Sequence, residues 1–189
     1  MVRLCARRAR LVLATVNFDR FIEARADEDV RVFATPEELE EFPAALATYK
    51  ASGGRVPLLK LHGTIEKPET LVATIRETNS GLNAHRQTAI QALVDAVKGE
   101  DSTSWWYVGY SMRDRDLENI WKSADFATMN EHWVDPYLNP YVAKFIQTHR
   151  LPNWSRVPFS DQWNATNRLV SLTANDFLTE LANVTDRDW

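Results

Sequence analysis

One cysteine, Cys5, is all that the 189 residues contain. An internal disulfide is therefore impossible, and so is a zinc site built on several thiolates. No stretch approaches the roughly 20 consecutive apolar residues of a membrane-spanning helix. One run, Leu11 to Val16, invites a secretory reading because Arg3, Arg7, Arg8 and Arg10 precede it. It stops after six residues at Asn17, short of the roughly 7–15 apolar residues of a signal peptide. Those arginines read as a solvated first segment rather than a basic arm. No longer lysine or arginine run exists, the net charge is −4 and the pI is near 5.6, so nucleic acid is a poor partner. Internal repeats and low-complexity segments are lacking too. The expectation left standing is a soluble, cytoplasmic protein with no membrane or nucleic-acid partner, in which the sequons at Asn153, Asn164 and Asn183 are chance matches.

What is present suits one globular domain spanning 1–189, since 44% of residues are hydrophobic and 25% charged. Short apolar runs ended by turn residues alternate with longer runs of helical spacing. Leu11–Val16 is apolar without alternation and predicts a strand buried on both faces. Asp19 then caps a short helix carrying Phe21 and Ile22. Val30–Phe33 predicts a second strand, and Thr35-Pro36-Glu37-Glu38 a capping box with proline at the first helical position. That helix is expected to bend or stop near Pro43. Pro57–Leu61 predicts a buried strand, and Thr70–Thr74 an additional strand or edge.

Ile90, Leu93, Val94 and Val97 give residues 83–98 the clearest helical stripe, closed by Gly99. Trp105–Val108 predicts a strand, Leu117, Ile120, Trp121 and Ala124 a helix, and Leu169–Leu172 a strand entering a capped helix with Phe177, Leu178 and Leu181 inward. Residues 130–166, rich in Trp, Tyr and Pro, read as an irregular cap or insertion. Its Trp133, Tyr137, Tyr141, Trp154 and Trp163 read as packing residues rather than a partner surface, and His85, His132 and His149 show no metal-ligand spacing. This alternation predicts an α/β fold: a mostly parallel, Rossmann-like sheet with helices on both faces.

Ligands of such sheets bind beyond the carboxyl ends of the strands. Three segments lie there, Asn17-Phe18-Asp19, His62-Gly63 and Gly109-Tyr110-Ser111, and the pattern places all three along one crevice. The Asn17 amide can orient hydroxyls or a water, and the His62 imidazole can take a proton near neutral pH. Gly63 and Gly109 let backbone approach a ligand. Ser111 and the N–H groups after it begin a helix, a place for an anion. Asp19 can accept from an amide. Each segment also has an ordinary explanation: Asn and Asp after a strand are common turn and cap residues, His-Gly is a common loop, and Gly-Tyr-Ser alone is weak.

Taken in order, Thr15-Val16-Asn17-Phe18-Asp19, Lys60-Leu61-His62-Gly63-Thr64-Ile65 and Val108-Gly109-Tyr110-Ser111-Met112-Arg113-Asp114 resemble the motif series of the SIR2-like, sirtuin-related family. The nearest group is its zinc-free bacterial anti-phage members. The spacings fit, at 45 residues from 17 to 62 and 49 from 62 to 111. Residues 10–125 and 168–182 carry the likeness. It implies NAD as substrate, no zinc, and an NAD+ glycohydrolase that cuts the nicotinamide–ribose bond in antiviral defence. By the same resemblance Asn17 orients the ribose hydroxyls or the attacking water and His62 is the general base. Asp19 meets the nicotinamide carboxamide, and Gly109 and Ser111 hold ribose and phosphates. Thr15, Gly63, Tyr110 and Asp114 join the cofactor contacts.

Two features depart from the family. Val16 stands where sirtuins carry Gln or Thr, which removes one polar contact. The family opens with a Gly-Ala-Gly-x-Ser phosphate loop, whereas none of the sixteen residues before Asn17 is glycine. The expectation is a domain truncated at its N-terminus: the true start lies upstream, the chain is one piece of a split protein, or it is a decayed remnant, inactive as this short chain. The expected partners besides NAD are further copies in a homo-oligomer, or a partner chain that supplies the missing loop. Three other functions stay in view. A lysine deacylase would bring a four-cysteine zinc module. A serine hydrolase using Ser111 would need the second glycine of Gly-x-Ser-x-Gly. A non-catalytic NAD- or ADP-ribose-sensing or assembly module would need neither.

Overall fold

The computed structural model describes residues 11–72, 81–98, 103–123, 130–137, 139–149 and 169–187. The chain divides into two compact units, Met1–Leu93 and Val94–Trp189. In the first lie β1 (Leu13–Thr15), α1 (Glu23–Ala26), β2 (Val30–Phe33), α2 (Pro36–Ser52), β3 (Val56–Lys60) and most of α3 (Ala84–Val97). The second contains β4 (Ser104–Val108), α4 (Arg115–Ser123), β5 (Asn130–Val134), α5 (Pro140–His149), β6 (Leu169–Val170) and α6 (Ala174–Arg187). The fold is α/β, and among the described residues every strand pairing is parallel. The described strands form two three-stranded sheets, ordered β1-β3-β2 and β4-β5-β6.

In the first unit β3 is the central strand, and all five of its residues are buried. Ala26, Val30, Val56 and Leu58 form an apolar cluster with Leu11, Leu13, Ile22 and Val32 against it. The helix crossing from β2 to β3 packs on both strands, with Phe42 meeting Phe33 edge-on at 5.1 Å between ring centroids. Its capping box forms as expected: Thr35 Oγ1 accepts the Glu38 N–H, while the Glu38 carboxylate accepts the Thr35 N–H.

Pro43 does not end this helix, which runs through it to Ser52. The missing N–H costs one helical bond, but Leu39, Phe42, Leu46 and Tyr49 bury a continuous stripe on either side of it, and their burial outweighs that loss. β1 also departs from expectation: it is three residues long, and Ala14 is exposed. Among the described strands it sits at the sheet's edge, so apolar residues without alternation do not here mean cover on both faces. The expected strand at Thr70–Thr74 is instead a 3₁₀ turn over Pro68–Thr70, with residues 73 and 74 outside the described set.

The second unit corrects the reading of 130–166 as irregular. Residues 130–134 are β5, the middle strand of its sheet, and 140–149 are a helix. Asn-Glu-His-Trp-Val carries too much polarity to read as a central strand. Glu131 is nonetheless fully buried, and the Tyr107 hydroxyl donates to it at 3.1 Å. Trp133 is core, stacked on Tyr107 at 4.1 Å, whereas Tyr137 and Tyr141 are exposed. Gly99, Ala124, Trp154 and Trp163 lie outside the described residues. His85 pairs with Glu40 at the surface, His132 stacks on Trp106 and His149 rests on Phe145. No helix among the described residues is long and apolar enough to cross a membrane.

Candidate active site

Register decides which residues meet in the first unit. β1 and β3 are neighbours, with Thr15 opposite Lys60. The Leu61 N–H donates to the Thr15 carbonyl at 2.9 Å, and past the strand ends the Ile65 N–H donates to the Phe18 carbonyl at 3.0 Å. Asn17 and His62 lie past the strand ends, in the two loop segments between those bonds. Asn17 is exposed, whereas His62 is 5% exposed.

The loop after β1 is shaped by its own side chains. Thr15 Oγ1 accepts the Asn17 N–H at 3.1 Å, and Asp19 Oδ1 accepts the Phe21 N–H at 2.9 Å. Such local bonds set a turn, so Thr15 and Asp19 each carry a structural duty whatever else they touch. Across the two loops Arg20 and Glu66 pair at 2.7 Å, both half-exposed. Below them the buried Lys60 ammonium bonds Glu23 Oε1 at 2.7 Å and also the Asp19 carbonyl.

Gly63 sits at φ +83, and a Cβ there would lie 2.2 Å from the Thr70 carbonyl oxygen. Its glycine is thus demanded by Thr70. That threonine in turn is fastened on three sides: its Oγ1 accepts the Thr64 N–H at 3.0 Å and donates to the Lys67 carbonyl at 2.6 Å, while Arg86 of α3 donates to its carbonyl at 2.5 Å. The His62 carbonyl accepts the Val72 N–H at 3.0 Å. The histidine loop is therefore pinned from below.

The second unit carries Gly109, Tyr110, Ser111 and Asp114 in one loop between β4 and α4. Gly109 has φ +65 and an open flank, the nearest atom to a Cβ there being the Ala174 methyl at 3.7 Å. Ser111 does not begin a helix: α4 starts at Arg115, and its first turn carries Asp116 and Glu118. Those carboxylates already occupy the positive end of the helix dipole, which makes it a poor anion cradle. Tyr110 is committed inward. Its hydroxyl oxygen accepts the Trp121 Nε1–H at 3.3 Å, and burial, reinforced by the Asp114 carboxylate, pushes its pKa well above the ordinary value. The phenol stays protonated. Met112 is a non-glycine residue at φ 56, and such strain concentrates at functional loops.

With this geometry in view, comparison adds one positive finding: the family model of the SIR2-like domain matches residues 11–147. The chain belongs to the SIR2-like family. Comparison with curated proteins and with solved structures finds no match. SIR2-like domains use NAD as a substrate, and the family is broadly one of NAD-dependent enzymes. The match takes in all three strand-end segments of this SIR2-like domain, from Thr15 to Asp114.

The sequence pattern assigns no role in the site to the side chains of Lys60, Glu23, Thr70, Arg86 and Met112. One signal was available for Lys60: a lysine inside the apolar run Pro57–Leu61 must find a partner if the strand is buried. For Thr70, Arg86 and Met112 no local pattern exists, because their contacts reach across loops or arise from backbone conformation.

Proposed function

We propose that this SIR2-like domain is an NAD+ glycohydrolase. The observation that supports it most is the in-register pairing of β1 with β3, from whose adjacent ends the loop segments carrying Asn17 and His62 leave, joined on either side by the Leu61–Thr15 and Ile65–Phe18 backbone bonds. NAD leaves little other work for a protein. The bond from ribose C1′ to the nicotinamide nitrogen breaks with its electron pair passing to the cationic ring, so the leaving group needs no acid. The sugar acquires oxocarbenium character, as in glycoside hydrolysis. Hydrogen bonds from Asn17 that tighten on the ribose or on the incoming water stabilise that state. Water adds at C1′ and its proton passes to His62. The products are nicotinamide, ADP-ribose and a proton. Run continuously, the reaction drains cellular NAD, an outcome suited to a protein that halts phage growth.

One observation favours a second reading. His62 is nearly buried, which restricts the approach of water and would suit a module that senses NAD without cutting it. Free nicotinamide, measured by chromatography after incubation with NAD, separates the two. The glycohydrolase reading expects release that drops at least about a hundredfold in Asn17→Ala and in His62→Ala. Release that both variants leave unchanged sinks it. A rise in melting temperature with NAD and no nicotinamide establishes the sensing module instead.

A further inference from the structure

We infer that Lys60 is a positioning residue whose buried ammonium, by holding the Asp19 carbonyl, sets where the loop after β1 presents Asn17. Its activity arm rests on the glycohydrolase reading; its structural arm does not.

Lys60 attaches to that loop at two points. Its backbone lies opposite Thr15 in the parallel ladder, and its side chain bonds the Asp19 carbonyl. Asn17 sits midway between the two attachments, and His62 lies two residues past Lys60, in the turn that follows β3. One residue thus relates the backbone of the amide segment to that of the imidazole segment. The side chain is fully buried and its counter-ion Glu23 nearly so.

Stability alone is a weak reason for such a pair. Taking both charges out of water is costly, and apolar replacements of similar volume often leave a protein no less stable. What an apolar residue cannot do is donate to the Asp19 carbonyl. Lys60 does not meet NAD in this account: its ammonium is enclosed and committed to two acceptors, so it acts through Asn17 and Asp19.

The test compares the full chain with Lys60→Met and with the double variant Lys60→Met/Glu23→Leu, which leaves no orphaned carboxylate. The single variant is expected to be poorly folded. The double variant is expected to melt within about 3 °C of the parent. Its kcat for nicotinamide release should fall about tenfold or more while KM for NAD moves less than about threefold, the split expected from misplacement of a reacting group. A second readout needs no activity: hydrogen exchange of the peptide 16–24 should quicken about tenfold while that of α2 stays unchanged. Unchanged kcat in the double variant overturns the inference, and so does unchanged exchange. Quickened exchange in a protein whose parent releases no nicotinamide upholds the loop-holding role of Lys60 and defeats the glycohydrolase reading.

Discussion

The two three-stranded sheets share a parallel plan and differ in where their buried polar groups point. Around the first, Lys60 reaches the Asp19 carbonyl as well as Glu23, Arg86 the Thr70 carbonyl and Thr70 the Thr64 N–H, so side chains grip loop backbone. In the second, Tyr107 reaches Glu131 and Trp121 reaches Tyr110, so side chains grip each other inside an aromatic cluster in which Trp105 meets Trp121 at 5.6 Å and Tyr107 stacks on Trp133 at 4.1 Å. The first arrangement fixes the geometry of a loop. The second fixes the packing of a core. Substitutions in the first unit should therefore act through loop geometry, and those in the second through core packing.

The glycines at the two strand ends give the sharpest contrast. Gly63→Ala would place a methyl 2.2 Å from a backbone oxygen, and a loss of about 3 kcal/mol or more in urea unfolding is expected. Gly109→Ala meets only an ordinary contact with the Ala174 methyl at 3.7 Å and a positive φ, so about 1–2 kcal/mol is expected. Equal losses would break the comparison. Tyr107→Phe should cost about 1–2 kcal/mol by depriving the buried Glu131 of a donor, without altering NAD binding measured by calorimetry. Met112→Gly should be about 1 kcal/mol more stable than Met112→Ala, since only the glycine relaxes at φ 56; identical melting temperatures would show that the loop carries no strain.

The smallest effect belongs to Glu38. Burial alone would raise its pKa, but the Lys67 ammonium at 2.7 Å and the Thr35 and Ala34 N–H groups outweigh it and hold the carboxyl below its ordinary 4.5. A depressed folded value means that its contribution is complete above about pH 4.5 and is lost as pH falls through that lower value. The stability gap between the parent and Glu38→Gln, followed by acid titration, should be flat above that pH and narrow below it. A gap that widens on acidification would reverse the sign.

Much of the first sheet was legible because its strands are aliphatic and its turns carry ordinary signals. Val30–Phe33 and the Thr35 capping box stand where the residues predict them. β5 was illegible because a strand carrying Asn130, Glu131 and His132 becomes central only through partners that period and propensity do not encode. Of the site, the strand-end positions of Asn17, His62 and Gly109 followed from turn chemistry and motif. The helix expected at Ser111 did not, since three loop residues separate it from Arg115, one of them Met112 in a conformation no composition reveals. The role of Lys60 was not legible because its acceptor is a carbonyl 41 positions away.

The central claim is that the loops after β1 and β3 meet the same NAD molecule. Hydrogen exchange with and without saturating NAD tests it most directly. Protection should appear together in the peptides covering 15–19 and 61–65, and Asn17→Ala should weaken both. Protection confined to one of them, with the other exchanging as in free protein, would contradict the account.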